Sequence, residues 1–194
     1  MANVIAGLGY FMSKFSERTR SALLVIDVQN DVVAEAWHRE QIIANISLLV
    51  KKAREANTPV IWVQHSDPYM EIGSDEWKIV PELQSLPSEP HVQKKFRSSF
   101  EDTTLDQTLA DLGVGHLYIS GAQTDYCVRH TMHASLERGY DVTLVGDAHT
   151  TSDGEWDSRK LLASAVIDEM NCSFNNYKLP GRKSDVVEAE ALVF

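Results

Sequence analysis

The chain has 194 residues, of which 43% are hydrophobic and 24% are charged, the composition of an ordinary folded domain in water. Its formal charge of -10 at pH 7 repels a phosphate backbone, so we expect no nucleic-acid partner. Cys127 and Cys172 are its two cysteines, and a pair this widely spaced is not the dense disulfide framework of small secreted domains. We therefore expect a cytoplasmic protein with no membrane partner.

The first 20 residues differ in composition from the rest of the chain. Residues 1–12 are mildly apolar but have no basic residues ahead of the apolar part, so they make a poor signal peptide and are too short to span a bilayer. Residues 13–20 are polar and charged. We predict an N-terminal arm over 1–20 and a single domain over 21–194. An apolar arm needs a surface to lie on, and a second subunit would supply one.

Apolar runs and helical periodicity alternate along the rest of the chain. The continuous apolar run at 22–28 is typical of a buried parallel strand, and apolar residues spaced by three and four at 40–56 are typical of an amphipathic helix. Further strands are predicted at 60–64, around Val92, at 116–120 and at 141–145. Further helices are predicted from about 102 to 112, at 126–138 and at 158–170. The segment 65–90 is predicted to be a long functional loop, and 189–194 to be a last strand or a docked arm. This alternation predicts an α/β protein with a Rossmann-like three-layer αβα fold and a mostly parallel, about six-stranded sheet.

Three reactive residues follow predicted strands. Asp27 ends the first strand, Lys94 follows the short third one, and Cys127 lies where a helix begins after the fourth. The carboxyl ends of parallel strands share one edge of a sheet, so these side chains can meet there. The carboxylate can accept the thiol proton, and the ammonium can stabilise a thiolate and an oxyanion. The helix N-terminus and the cation predict a lowered pKa for Cys127. Each residue also has a simpler interpretation, namely a capping carboxylate, a solvated lysine and a core cysteine.

Three blocks of sequence carry a family resemblance. They are residues 22–31 (ALLVIDVQND), 94–105 (KKFRSSFEDTTL) and 121–128 (GAQTDYCV). In this order they resemble the signature blocks of the isochorismatase-like cysteine hydrolases, a superfamily that includes nicotinamidases, N-carbamoylsarcosine amidase and streptothricin hydrolase. The resemblance implies that Asp27, Lys94 and Cys127 are the base, the cation and the nucleophile.

The same resemblance implies an oxyanion site. It places a cis peptide bond between Ala122 and Gln123, which aims the backbone N–H groups of Gln123 and Cys127 at the oxyanion. Lys95 competes with Lys94 for the role of the cation. We prefer Lys94 because its spacing from Phe100 is that of the family block.

The sequence also departs from parts of the family. Metal-dependent nicotinamidases have an Asp-x-His motif after the second strand, whereas this chain has Val63-Gln64-His65 there. We therefore expect no metal and no cofactor, and His65 is predicted to line a pocket or cap the strand. Isochorismatases proper cleave a vinyl ether and lack the nucleophilic cysteine, so Cys127 argues for amide chemistry.

The sequence thus predicts a cysteine-dependent hydrolase that cleaves a C–N amide-type bond of a small molecule through a thioester intermediate. The alternatives are a non-catalytic binding or scaffolding protein on the same fold, and a hydrolase of a vinyl ether. Family resemblance implies a homo-oligomer, either a dimer or a tetramer. Aromatic residues in the loops are candidates for the wall of the substrate pocket, namely Trp37, His65, Tyr69, Trp77, Tyr126 and Trp156.

Overall fold

A six-stranded parallel sheet forms the centre of the protein, whose structure is a computed structural model that describes residues 13–175 and 177–194. Each neighbouring pair of strands in this sheet is parallel. The strands are β1 (Arg20–Ile26), β2 (Val60–His65), β3 (His91–Lys94), β4 (Val114–Ala122), β5 (Asp141–Thr150) and β8 (Ser184–Val187), in the order β3-β2-β1-β4-β5-β8. The helices are α1 (Arg39–Glu55), α2 (Leu105–Asp111), α3 (Arg129–Arg138) and α4 (Ala163–Asn175), and a separate antiparallel hairpin joins β6 (Gly154–Trp156) to β7 (Arg159–Leu161).

Both faces of the sheet are covered by helices. Alternate residues of β1 point to opposite faces, so Leu24 and Ile26 lie in one core cluster while Leu23 and Val25 lie in the other. Apolar residues of α2, α3 and α4 pack into the first cluster, and those of α1 pack into the second. This confirms the predicted three-layer αβα fold with a parallel sheet, and burial on both faces explains the continuous apolar run of β1.

The strand order reverses between β1 and β4. The chain moves outward from β1 to β2 and β3, and then crosses to the other side of β1 to form β4. Ile26 pairs with Gly121 in this central pair of strands. A Cβ atom at Gly121, where φ is +119°, would lie 2.0 Å from the carbonyl oxygen of Ile26. Only glycine permits this approach, which brings the ends of β1 and β4 together at the place where open α/β sheets bind ligands.

Two predicted elements near the C-terminus differ from the structure. The helix expected from residue 158 begins at Ala163, whose backbone N–H donates to Asp153 Oδ1 at 2.8 Å. The β6–β7 hairpin precedes it, with positive φ angles of 50° at Asp157 and 59° at Ser158 that suit a tight hairpin turn. The last strand is β8, which sequence reasoning missed, and residues 189–194 are the docked segment, with Leu192 buried.

The predicted N-terminal arm lies partly outside the described residues, because the structure describes the chain from residue 13 onward. Residues 13–19 contact the domain: the Lys14 N–H donates to the Gly139 carbonyl at 2.9 Å, and the ring of Phe15 lies 4.8 Å from that of Tyr140. In the part of the chain that the structure describes, no helix is both long and apolar enough to cross a membrane.

Candidate active site

Asp27, Lys94 and Cys127 meet at the carboxyl edge of the sheet. Asp27 directly follows β1 in a left-handed conformation with φ of 50°. Lys94 is the last residue of β3, and Cys127 lies in a π-helical turn, Thr124–Val128, that joins β4 to α3. The reversal of strand order between β1 and β4 therefore brings together three residues that are far apart in the sequence.

The ammonium of Lys94 is the centre of this group. Its Nζ lies 2.7 Å from Asp27 Oδ2 and donates to Cys127 Sγ at 3.1 Å and to the Phe96 carbonyl at 3.1 Å. Asp27 and Lys94 are only 0% and 2% exposed. Apart from the ion pair, the carboxylate oxygens of Asp27 have no hydrogen-bond partner within 13–175 and 177–194. The two buried charges therefore depend on each other for compensation.

The thiol of Cys127 is protonated at rest, which corrects the expectation of a lowered pKa. Burial and the charge of Asp27 raise the pKa of Cys127 to about 12, although Lys94 acts in the opposite direction. Sequence reasoning counted the cation and the helix N-terminus but not the carboxylate and the desolvation that oppose them. Burial acts to lower the pKa of Lys94, but the negative charge of its ion-pair partner Asp27 opposes this effect, and the pKa of Lys94 is raised. The resting site thus pairs a neutral thiol with a charged lysine and a carboxylate.

His65 extends the site on the side of Lys94. Its Nδ1 lies 3.4 Å from Lys94 Nζ, and its Nε2 lies 3.7 Å from Asp67 Oδ2. Burial and the charge of Lys94 lower the pKa of His65, so the ring is neutral at pH 7. Because Lys94 can only donate, we assign the ring proton to Nε2. Asp67 also accepts the backbone N–H groups of Tyr69 and Met70, each at 2.8 Å.

The turn that carries Cys127 begins at Gln123. The peptide bond between Ala122 and Gln123 is cis. The Gln123 carbonyl accepts the N–H groups of Tyr126 at 3.1 Å and Val128 at 3.2 Å, which closes the turn around Cys127. N–H groups in the first turn of a helix have no partner within it. The backbone N–H of Cys127 is in such a position.

A buried chain of hydrogen bonds anchors this turn to the sheet. Thr124 Oγ1 lies 2.9 Å from His149 Nδ1, His149 Nε2 lies 3.0 Å from Asn171 Oδ1, and Asn171 Nδ2 donates to the Gly146 carbonyl at 3.0 Å. Burial lowers the pKa of His149 to about 4, so the ring is neutral at pH 7. Since Asn171 uses its amide protons on Gly146, the ring donates from Nε2 and accepts the Thr124 hydroxyl at Nδ1.

A cavity of about 370 Å³ opens above Cys127, a size suited to a small molecule. Residues from the loops after four strands line it, namely Asp27, Asp31, Val32, His65, Asp67, Met70, Arg97, Gln123, Tyr126 and Cys127. Two of the predicted wall residues, His65 and Tyr126, are among them. Sequence reasoning missed Asp31, Val32, Asp67, Met70 and Arg97, although each lies shortly after a strand end.

The other four predicted wall residues lie elsewhere. The ring of Trp37 stacks on that of His38 with centroids 3.6 Å apart, and Tyr69 is 93% exposed. Trp156 is 75% exposed on the β6–β7 hairpin. Trp77 does not line the cavity, and its backbone carbonyl accepts the side-chain amide of Gln29 at 2.8 Å, which also donates to the His65 carbonyl at 2.9 Å.

A second groove, of about 550 Å³, adjoins the cavity and shares Asp67 with it. Lys95 lines this groove and is exposed, whereas Lys94 is buried against Cys127. Of the two neighbouring lysines, Lys94 is therefore the one beside the sulfur. Among the residues that the structure describes, no group of three His, Cys, Asp or Glu side chains is placed to hold a metal ion.

Comparison with known proteins shows which family the chain belongs to. A family model for the isochorismatase domain matches residues 21–169. Streptothricin hydrolase from Streptomyces noursei is 31% identical over 143 residues, which cover 70% of this chain and only 56% of that relative. Ureidoacrylate amidohydrolase from an Enterobacter strain is 26% identical over 170 residues, covering 66% of this chain and 74% of the relative.

The fold agrees with solved structures as well. An isochorismatase from Pseudomonas putida superposes with a TM-score of 0.80 at 25% identity, over 94% of this chain and 93% of that one. The matched domain includes Asp27, Lys94 and Cys127. The chain therefore belongs to the isochorismatase family.

Proposed function

We propose that this chain hydrolyses a C–N amide-type bond of a small molecule, with Cys127 as the nucleophile. The observation that carries the proposal is the position of Lys94 Nζ, 2.7 Å from Asp27 Oδ2 and 3.1 Å from Cys127 Sγ, since Asp27 and Cys127 both line the cavity. A base and a nucleophile held by one shared cation is an arrangement that can activate a thiol for covalent catalysis.

In the first half of the reaction, Asp27 takes the proton of Cys127 as Sγ attacks the carbonyl carbon. A neutral resting thiol needs such a base, because burial and the carboxylate raise the pKa of Cys127 to about 12. The C–S bond forms and the carbonyl electrons move to the oxygen. The backbone N–H groups of Gln123 and Cys127, together with the charge of Lys94, stabilise this oxyanion.

In the second half, the tetrahedral intermediate collapses. The C–N bond breaks, the proton held by Asp27 passes to the leaving nitrogen, and an amine or ammonia departs. Water then attacks the thioester while Asp27 accepts its proton, and the C–S bond breaks to release a carboxylic acid. The proton returns from Asp27 to Cys127, which restores the resting state.

The relatives support an amide-type bond as the target. The relative from the Enterobacter strain is named an amidohydrolase. The half-buried sulfur beside a carboxylate and an ammonium supports covalent catalysis more directly than a non-catalytic binding role does.

The test is a screen of small amides for release of amine or ammonia, with Cys127→Ala and Cys172→Ala as paired variants. We expect an initial burst of about one amine per active site if thioester hydrolysis is slow, and a mass increase on the peptide that contains Cys127. Cys127→Ala should abolish turnover and the mass increase, while Cys172→Ala should retain both. Wild-type turnover in Cys127→Ala would overturn the mechanism, and cleavage of vinyl ethers but of no amide would overturn the bond assignment.

A further inference from the structure

The charges around the cavity are not all neutralised. Asp27 is paired with Lys94, and Asp67 accepts two backbone N–H groups and faces His65. Two charged side chains in the wall remain, the guanidinium of Arg97 and the carboxylate of Asp31. A ligand that enters the cavity can bind these two groups without displacing a protein partner.

Arg97 is held in a fixed place although it is exposed. Its guanidinium carbon lies 4.4 Å from the centre of the Tyr126 ring. The Phe96 carbonyl beside it accepts a hydrogen bond from Lys94 Nζ at 3.1 Å, which ties this loop to the catalytic cation. An arginine that stacks by its face on an aromatic ring keeps the N–H donors of its edge available.

None of those donors is used within the described chain. Over residues 13–175 and 177–194, Arg97 donates no hydrogen bond, and no carboxylate lies within ion-pair distance of it. The planar fork of a guanidinium matches a carboxylate, which it binds through two parallel hydrogen bonds. The guanidinium of Arg97, which lies over the Tyr126 ring and has no hydrogen-bonding partner in the described chain, is therefore suited to bind an anion in this small cavity.

We propose that Arg97 is a specificity residue that binds a carboxylate group of the substrate. The inference rests on the proposed function, and it narrows the substrate to a small amide that carries an anionic group. Arg97 and Cys127 line the same cavity of about 370 Å³, so the carboxylate and the scissile carbonyl belong to one compact molecule.

Asp31 supports the opposite preference, a cationic substrate, but less strongly. It is exposed, and its side chain has no hydrogen bond or ion pair with another residue of the described ranges. It therefore lacks the fixed position that ring stacking gives to Arg97. Binding by a preorganised group costs less conformational entropy, which favours Arg97 as the selective residue.

The test uses two alkylating reagents that differ in charge, iodoacetate and iodoacetamide. Each forms a C–S bond to Cys127 with loss of iodide, and the thiol proton passes to a base, so the chemical step is the same. Mass spectrometry of the labelled peptide gives the rate constant of each reagent at Cys127. The ratio of the two rate constants reports the preference of the cavity for an anion. Cys172 in the same sample gives the ratio at a surface thiol outside the cavity.

We expect Arg97→Gln to lower the iodoacetate-to-iodoacetamide ratio at Cys127 by about tenfold, the loss of one charge-assisted hydrogen bond. Arg97→Lys should retain part of the preference. Lys95→Gln is the matched control, because it removes the same charge from the adjoining groove, and it should change the ratio less than about twofold.

An unchanged ratio in Arg97→Gln, or an equal fall in Lys95→Gln, would overturn the proposal. If Asp31→Asn raises the ratio and Arg97→Gln leaves it unchanged, the cavity selects cations instead. Alkylation requires no turnover, so this outcome is separate from the fate of the proposed amidase activity.

Discussion

Replacing Asp27 by asparagine should make the Cys127 thiol more acidic and the protein a poorer catalyst. The two groups contact the same atom, Lys94 Nζ, at 2.7 Å and 3.1 Å, so they lie no more than about 6 Å apart. At an effective dielectric constant of about 20, two negative charges at that distance repel each other by about 3 kcal/mol. This repulsion corresponds to about 2 pH units in the pKa of the thiol.

Asp27→Asn keeps the shape of the side chain and removes its charge. The thiolate then becomes the counter-ion of the buried Lys94, which acts in the same direction. We expect the pKa of Cys127 to fall from about 12 by at least about 2 pH units, while burial still holds it above the value of an exposed thiol. Turnover should fall by roughly 100-fold to 10,000-fold, because the variant has lost the proposed general base.

The assay is a pH titration of thiolate absorbance in the ultraviolet, in a Cys172→Ser background with Cys127→Ala as the blank. Circular dichroism checks that Asp27→Asn is folded, and Lys94→Met should shift the pKa of Cys127 upward. An unchanged or higher pKa in Asp27→Asn would refute the electrostatic reasoning. Turnover at the wild-type rate would refute Asp27 as the base.

Three further predictions concern the fold and the absence of a metal requirement. Gly121→Ala should destabilise the fold by at least about 3 kcal/mol in urea unfolding, because its Cβ would lie 2.0 Å from Ile26 O. Gly113→Ala, which also has a positive φ but no atom within 4 Å of the added Cβ, should cost only about 1 kcal/mol, and equal losses would show that the close approach is unimportant. The pKa of His149 is lowered from 6.5 to about 4, so neutral His149 stabilises the fold fully above pH 6.5 and this contribution is lost as the pH falls toward 4. Between about pH 7 and about pH 4, the free energy of unfolding of His149→Gln should therefore fall by about 3 kcal/mol less than that of the wild type. Parallel plots of unfolding free energy against pH would contradict the assignment of a neutral, buried His149. Turnover should survive prolonged chelation with EDTA, and loss that zinc or manganese restores would contradict the metal-free mechanism.

The position of the reactive residues follows from simple features of the sequence. Asp27 lies at the end of an apolar run, Lys94 ends the brief strand around Val92, and Cys127 follows a strand that stops at a glycine, so their positions at strand ends select all three. Their distances do not follow from that logic, because they depend on the reversal of strand order at β1 and β4. The prediction of a lowered pKa for Cys127 is wrong because it lacks these distances. Its value is set by burial and by the distance to Asp27, and neither quantity is visible in the chain.

The cavity wall is harder to predict from the sequence than the proposed catalytic residues. The sequence suggests aromatic side chains as wall candidates, yet Trp156 lies on an exposed hairpin and Tyr69 points to solvent. The residues that do line the cavity include Val32 and Arg97, and nothing in the sequence distinguishes them from other valines and arginines in loops. Loop conformation decides which side chains face the cavity, and tertiary contacts decide loop conformation. Homo-oligomer formation and a cytoplasmic location stay predictions.

The place of Lys94 in the sheet links catalysis to local stability. Its strand β3 has four residues and, within the part of the chain that the structure describes, lies at the edge of the sheet and pairs with β2 alone. The ion pair to Asp27 passes over β2 and ties this edge strand to β1. An edge strand held by one neighbour is among the first elements to open in local unfolding. When β3 detaches, Lys94 moves away from both Asp27 and Cys127. Mild denaturant should therefore abolish turnover while the central strands remain folded.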